Sequence, residues 1–205
     1  MITENKNHWY DGWFYDKIIA PNQDRMFGEI KNIIEPNSNV LDVGCGTGRF
    51  SFLVADKVNK VLGIDLSKKN IDQADQSLLK KENSKITFHH TQLSNLISQK
   101  LHFDYAVMTY VIHEVNPSDR VKLLKEMAQI SDFIIIGDYL VPAKKGFWGV
   151  LNEVVEFLAG KEHYNNFKHF LGNGGLFELA KKSELKIIKE IKNKPPSSQL
   201  LVLAK

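Results

Sequence analysis

A loop with glycine at every second position is the part of this sequence best suited to hold a ligand. The loop runs from Gly44 to Gly48, after the apolar residues Val40 to Val43, and a helix is predicted to follow from Arg49. Glycine lets the backbone turn sharply and approach a ligand closely. The start of a helix presents N–H groups that suit a carboxylate or a phosphate. This pattern predicts a small-molecule site at the loop.

An acidic residue follows at the end of the next predicted strand, Lys60 to Asp65. An acid in this place accepts hydrogen bonds from two ribose hydroxyls, and it lies about 20 residues beyond the glycine loop in dinucleotide sites. A nicotinamide dinucleotide loop carries its third glycine three residues after the second. Arg49 occupies that position here, and the third glycine is Gly48. The spacing therefore predicts a ribose-bearing ligand other than NAD.

Strand-like and helix-like segments alternate along the chain, which predicts an α/β fold built on parallel strands. An additional helix is predicted from Trp148 to Leu158, and a tight connection at Pro195-Pro196 joins the last two strands. Antiparallel neighbours need only a short link of this kind. The predicted strands are 40–43, 60–65, 85–89, 105–109, 133–137, 185–191 and 199–203.

Two stretches together resemble motifs I and II of the class I S-adenosylmethionine-dependent methyltransferases: VLDVGCGTGRF, from Val40 to Phe50, and VLGIDLS, from Val61 to Ser67. The resemblance extends from about Val40 to the C-terminus. It implies S-adenosyl-L-methionine as the cofactor and methyl transfer as the reaction. It also implies a doubly wound, seven-stranded, mostly parallel sheet of the Rossmann-like methyltransferase type, with an antiparallel last strand.

The resemblance also implies which residues hold the cofactor. Asp42 would orient the loop and reach the cofactor's amino group, Asp65 would hold the ribose hydroxyls, and Leu66 would flank the adenine. The alternative for Asp42 is an acid that stabilises the turn without ligand contact. Gln92 replaces the acid that often binds the adenine amino group, although its side-chain carbonyl can still accept a hydrogen bond. The alternative for this third motif is a surface loop without ligand contact. The predicted cofactor residues are Asp42, Gly44, Cys45, Gly46, Gly48, Asp65, Leu66, Gln92, Leu93, Met108, Thr109, Tyr110 and Tyr15.

His113, just after the fourth predicted strand, is the best candidate for a general base. The ordinary pKa of a histidine suits proton removal near neutrality, and ligands bind beyond the carboxyl ends of strands in open α/β sheets. The alternative is a histidine that only packs and hydrogen-bonds. A base is optional, because displacement at a sulfonium methyl group mainly needs alignment and exclusion of water. Weaker candidates by location are Asp138, which has strand capping as an alternative role, Tyr139, His163 and His169.

Two aromatic clusters are predicted to cover the substrate, since relatives place the N-terminal segment and an insertion after the fifth strand over that site. One cluster spans residues 8–15, with Tyr10 and Tyr15 as the preferred contacts. Packing of two lids without ligand contact is the alternative. The second cluster contains Phe147, Trp148, Tyr164, Phe167 and Phe170.

The chain is predicted to form one methyltransferase domain over 1–205, with a helical N-terminal lid over 1–35 and a small helical cap over 141–172.

Composition narrows the class of acceptor. The 205 residues carry a formal net charge of +3, and the lysines are scattered, so nucleic acid is not the expected partner. We expect a small or medium-sized organic acceptor; the alternatives are an RNA or protein methyltransferase and a non-catalytic cofactor-binding protein.

No long apolar run or secretory signal is evident, which predicts a cytoplasmic protein without a membrane partner. The single cysteine and the scattered histidines predict no disulfide and no metal site. The oligomeric state stays open.

Overall fold

The computed structural model describes residues 20–141, 160–192 and 198–205. The chain divides into two compact units, and the boundary lies between Asn95 and Leu96. The prediction of a single domain over 1–205 stays a prediction. The helix predicted at Trp148–Leu158 and the connection at Pro195-Pro196 lie outside the described residues.

The first unit has three parallel strands in the order β3-β2-β1. Apolar side chains hold its layers together, because Val40 and Leu41 of the sheet and Ile30 of a helix are fully buried. The elements are α1 (Ala20–Ile33), β1 (Asn39–Val43), α2 (Arg49–Val54), β2 (Lys60–Asp65), α3 (Lys68–Lys81) and β3 (Ile86–His90).

Capping explains where α3 begins. The hydroxyl of Ser67 accepts a hydrogen bond from the backbone N–H of Asn70, which satisfies one donor of the first turn. Ser67 is therefore the N-cap residue of α3. A short helix, α4 (Leu93–Ser98), which was not predicted from the sequence, crosses the boundary between the units.

The second unit has four strands in the order β4-β5-β7-β6. β4 and β5 are parallel, whereas β7 is antiparallel to both β5 and β6. The central strands β5 and β7 are buried and rich in branched apolar residues, as expected of strands covered on both faces. The elements are β4 (Phe103–Thr109), α5 (Arg120–Ile130), β5 (Ser131–Tyr139), α6 (Lys161–Gly172), α7 (Gly175–Lys182), β6 (Lys186–Lys192) and β7 (Ser198–Ala204).

β6 comes last in the strand order and is the most exposed strand. Its pairing with β7 shifts register between Ile187 and Lys189. Counted over both units, seven strands with flanking helices form a mostly parallel α/β sheet, so the predicted fold class and the antiparallel last strand are confirmed. Within the ranges given above, the structure holds no helix with the length and apolar character needed to cross a membrane.

Candidate functional site

The glycine loop joins β1 to α2 in the first unit. Gly44, Gly46 and Gly48 have φ angles of 71°, 55° and 83°, in a region that glycine enters without steric cost. The backbone N–H groups of Gly44 and Cys45 both donate to the carbonyl of Ile64, at 2.8 and 3.0 Å. The loop is therefore fastened to the end of β2, and glycine is required for its conformation.

Phe88 of β3 fills the space beneath this loop. A Cβ atom added to Gly48 would lie 2.4 Å from Cζ of the Phe88 ring, and one added to Gly63 would lie 2.6 Å from Cδ1 of the same ring. No side chain fits at that distance without a shift of the ring. The absence of a side chain at these two glycines thus lets an aromatic ring support the loop from below.

Asp65 connects the loop with the start of α3. Its Oδ2 accepts a hydrogen bond from the backbone N–H of Gly46 at 2.9 Å, and its Oδ1 accepts one from Ser67 at 2.7 Å. A carboxylate offers about four acceptor positions, so two hydrogen bonds leave room for about two more donors. Each oxygen can therefore hold a backbone N–H and still accept a hydroxyl group.

Asp42 is a buried carboxyl group directly beneath the loop. Its Oδ2 accepts a 2.6 Å hydrogen bond from the hydroxyl of Ser51, and both residues are almost inaccessible to solvent. Burial raises the pKa of Asp42 to about 7; the Ser51 hydrogen bond opposes this shift, and the nearby charge of Asp65 adds to it. The protonation of this group therefore changes near neutral pH.

The end of β3 lies beside Asp65. The backbone N–H of Thr91 donates to the carbonyl of Asp65 at 3.3 Å, and Nε2 of His90 lies 3.0 Å from the carbonyl of Leu66. Leu66 is 58% exposed. His90 and Leu66 together form an accessible surface next to the acid.

In the second unit, Tyr110 follows β4 in a strained conformation. Its φ angle is 55°, which is rare for a bulky residue and is found where surrounding contacts enforce it. Its N–H donates to the carbonyl of Gly137 at 2.8 Å, and its hydroxyl donates to Ser198 at 3.0 Å. These bonds hold the chain in a fixed turn after β4.

A buried His–Asp pair follows this turn. Nδ1 of His113 lies 2.8 Å from Oδ1 of Asp138, and the His113 backbone N–H donates to the other oxygen at 3.3 Å. Oδ1 also accepts the N–H of Tyr139 at 2.7 Å. A carboxylate only accepts hydrogen bonds, so Nδ1 of His113 carries a proton, and in the neutral imidazole the lone pair lies on Nε2.

Aromatic side chains surround His113. The ring centroids of Tyr139, His163 and Phe167 lie 4.8, 5.7 and 6.1 Å from that of His113, all with steep interplanar angles. Phe170 packs slightly further away, at 6.5 Å. Three of these residues lie on α6, so the helix supplies one wall around the imidazole.

Arg120 joins α6 to the backbone around His113. Its guanidinium donates to the carbonyls of His113 and Asn166 at 2.9 and 2.7 Å, while Nε donates to Val115 at 2.9 Å. Burial lowers the pKa of Arg120, and the charge of Asp138 opposes that shift. An arginine with three carbonyl partners in a buried position fixes the relative placement of these segments.

Comparison with known proteins agrees with the resemblance seen in the sequence. Residues 40–131, a little less than half of the chain, match the family model described as "Methyltransferase domain". This stretch of the chain is therefore similar to a methyltransferase domain. The matched range begins at β1 and contains the glycine loop, Asp65 and His113.

Curated relatives resemble this chain over part of their length. The O-antigen chain terminator bifunctional methyltransferase/kinase WbdD of Escherichia coli is 29% identical over 118 residues, which are 55% of this chain and 16% of that protein. An uncharacterised methyltransferase of Schizosaccharomyces pombe is 31% identical over 94 residues, 46% of this chain and 64% of that protein. The chain thus matches less than two thirds of either relative.

Solved structures agree on the fold. The magnesium protoporphyrin IX methyltransferase ChlM of Synechocystis PCC 6803, crystallised with SAH, superposes with a TM-score of 0.69. The alignment covers 96% of this chain and 90% of ChlM at 18% sequence identity. At this identity, the likeness establishes the methyltransferase fold.

The structure brings most of the predicted methyltransferase residues of the first unit together. The loop glycines, Cys45, Asp42 and Asp65 lie together at the carboxyl ends of β1 and β2. Gln92 is exposed just before α4, whereas the Leu93 side chain is buried in that helix. Leu93 therefore packs in the protein interior and does not lie on a surface loop. The roles of these residues stay predictions.

The predicted residues of the second unit fall into two groups. Met108 and Thr109 belong to β4 itself, and the Met108 side chain is fully buried. Asp138 lies within β5 and contacts His113 directly, so it does more than cap a strand end. His169 is exposed on α6, away from the aromatic wall. Tyr10, Tyr15, Phe147 and Trp148 lie outside the described residues.

Sequence reasoning missed three contributors to these sites: Ser51, His90 and Arg120. Ser51 and His90 had a detectable signal, because each lies close in sequence to a recognised motif. Arg120 had none, since its partners on α6 are 46 residues away. Only the folded structure shows that Arg120 connects the segment around His113 with α6.

Proposed function

We propose that the chain binds S-adenosyl-L-methionine and transfers its methyl group to a small or medium-sized organic acceptor. The observation that carries this proposal is the pair of hydrogen bonds from Gly46 and Ser67 to Asp65. They tie the glycine loop to an acid that retains acceptor capacity for about two hydroxyls. A vicinal ribose diol supplies two such donors. The match of residues 40–131 to a methyltransferase domain supports the same cofactor.

The chain's own residues have three tasks in this reaction. The bound cofactor supplies a methyl group on a positively charged sulfur. The glycine loop, Gly44 to Gly48, lets the cofactor lie close to the protein backbone. Asp65 binds the ribose hydroxyls. Asp42 lies beneath the loop, where a carboxylate favours a nearby ammonium group. Most of the barrier reduction then comes from orientation, since alignment of two reactants contributes several kcal/mol, about 7–11 at best.

The acceptor side is proposed to involve the second unit. Asp138 holds the His113 imidazole with its Nε2 lone pair turned away from the carboxylate. Such an arrangement provides either a proton acceptor or a ligand atom. The walls around it are aromatic, which favours a flat or apolar acceptor over a charged polymer. ChlM, which shares the fold, is by its name a methyltransferase of magnesium protoporphyrin IX.

Calorimetric titration with S-adenosylmethionine and S-adenosylhomocysteine tests the proposal. Binding in the micromolar range is expected, followed by release of S-adenosylhomocysteine when a suitable small acceptor is added. The acceptor panel should contain hydroxyl, amine and carboxylate compounds, with folded RNA and a protein mixture as separate arms. No binding of either cofactor form would overturn the proposal. Cofactor binding with turnover on RNA or protein alone would replace the proposed acceptor class.

The raised pKa of Asp42 predicts proton release when the cofactor binds. The cofactor's ammonium group favours the ionised carboxylate, so the pKa of Asp42 falls from about 7 in the complex. At pH 6 to 7, binding should therefore release a large fraction of one proton. Affinity should rise with pH below about 7, by at most about tenfold per pH unit.

Calorimetry in buffers of different ionisation enthalpy measures this proton release. Asp42→Asn keeps the side-chain shape and an acceptor for Ser51 but cannot ionise, so its binding should show no such release. If wild type and Asp42→Asn release the same number of protons, another group is responsible and the predicted role of Asp42 is wrong.

A further inference from the structure

We propose that His113, Glu114 and His163 form a binding site for a divalent transition-metal ion of the Zn²⁺ type. Their ligand atoms all lie within 4.8 Å of one another. Oε1 of Glu114 is 3.8 Å from Nε2 of His113 and 3.6 Å from Nε2 of His163. Two imidazoles and one carboxylate thus converge on one point in the second unit. This site does not depend on cofactor binding.

The distances fit an ion after a small adjustment. Zinc binds imidazole nitrogen and carboxylate oxygen at about 2.0–2.2 Å, so two ligand atoms of a tetrahedral site are about 3.4 Å apart. The two distances from Glu114 exceed this value by only a few tenths of an ångström. The Glu114 side chain is 48% exposed and His163 is 17% exposed. Rotation of these two side chains can bring the histidine nitrogens together, whereas His113 is fixed.

Asp138 gives His113 the orientation that a metal ligand needs. Its carboxylate holds Nδ1 at 2.8 Å and is itself fully buried. A metal-binding histidine commonly donates its other ring N–H to a carboxylate in this way, which fixes the tautomer and makes the ligand nitrogen more basic. The bond directs Nε2 of His113 towards Glu114 and His163. The structure therefore contains the supporting interaction as well as the three ligands.

Hydrogen bonds from side chains to backbone carbonyls hold the two ligand-bearing segments together. Nδ2 of Asn166 donates to the Glu114 carbonyl at 2.9 Å, and the guanidinium of Arg120 bridges the carbonyls of His113 and Asn166. None of these contacts uses a ligand side chain. The turn after β4 and the first turns of α6 are thus positioned before any ion binds, which lowers the ordering cost of binding.

The donor set indicates the class of metal. Imidazole nitrogen suits Zn²⁺ and neighbouring transition metals, whereas Mg²⁺ and Ca²⁺ prefer sites made of oxygen atoms. Three protein ligands leave at least one coordination position for water or an acceptor oxygen. A bound ion would occupy the Nε2 lone pair of His113. In that state His113 is a metal ligand, and the predicted role as general base no longer applies.

Titration with Co²⁺ tests the site, because its visible absorption reports coordination geometry and needs no turnover. Purified full-length protein, treated with chelator and dialysed, should bind one equivalent of Co²⁺ with new absorption bands, and Zn²⁺ should displace it. His163→Ala and Glu114→Gln should each weaken binding by about tenfold to a hundredfold or more. Both positions are partly exposed, so these variants are expected to fold.

The matched control is His169→Ala, which removes an exposed histidine from the same helix and should leave Co²⁺ binding unchanged. Absence of the absorption bands, or equal Co²⁺ affinity in wild type and His163→Ala, would overturn the metal site. Calorimetry with S-adenosylhomocysteine on the same samples reports separately on the proposed function. Failure of one proposal can thus be distinguished from failure of the other.

Discussion

Asp65→Ala is expected to weaken S-adenosylhomocysteine binding by about a hundredfold or more. Two hydroxyl hydrogen bonds to a carboxylate are lost, and each contributes about 1.5–3 kcal/mol, while every 1.4 kcal/mol corresponds to about a tenfold change in affinity. The same change releases the N–H groups of Gly46 and Ser67 from their carboxylate partner. The glycine loop then has to be ordered by the ligand, which lowers affinity further. Calorimetric titration gives the dissociation constants.

Two variants separate these causes. Asp72→Ala removes an equal charge from an exposed position on α3, where Asp72 pairs with Lys68, and should not change affinity. Asp65→Asn keeps the size of the side chain but loses the charge, so an intermediate loss is expected. If Asp65→Ala binds within a few-fold of wild type, the ribose is not held by this residue and the site assignment fails.

Gly48→Ala is expected to lower the free energy of unfolding by about 2–5 kcal/mol. A left-handed backbone costs a non-glycine residue about 1–2 kcal/mol, and the φ angle here is 83°. The new methyl group would also lie 2.4 Å from the Phe88 ring and 3.2 Å from the Phe52 ring. Overpacking of this kind costs about 1–3 kcal/mol. Urea unfolding measures the total decrease in the free energy of unfolding from both causes.

A double-mutant cycle with Phe88→Leu distinguishes the two contributions. The smaller side chain removes the clash but not the backbone strain, so Gly48→Ala should cost only about 1–2 kcal/mol in that background. Gly28→Ala is the matched control, since nothing lies within 4 Å of its added Cβ in α1. It should be neutral or stabilising by up to about 1 kcal/mol. An equal effect of Gly48→Ala and Gly28→Ala would refute the packing argument.

Features that depend on near neighbours in sequence could be predicted. The bounds of β2 match the expectation, because an apolar run of strand-forming residues acts locally. The helical cap predicted over 141–172 did not include α6 as a separate helix, although His163, Phe167 and Phe170 follow helical spacing. Its asparagines and aromatic residues have low helix propensity, so this helix is stabilised by packing of its buried face and by the bond from Arg120.

Contacts between distant segments could not be predicted. The His113–Asp138 pair depends on the register of β4 against β5, in which Thr109 lies opposite Gly137. A shift of one residue would turn Asp138 to the other face of the sheet. The convergence of Glu114 with His163 similarly requires α6 to pack on the turn after β4. Sequence spacing carries no information on either relation, which is why metal-site spacing was absent from the sequence.

The exposed strand β6 has a consequence for association between molecules. A strand at the end of a sheet presents backbone groups that can pair with another chain, and Ile187 and Ile188 are 36% and 51% exposed there. Lysines at 186, 189 and 192 and the register shift beside Lys189 work against such pairing, because charge and an irregular edge disfavour a second strand. The lysine-rich edge therefore protects the protein against aggregation through added strands.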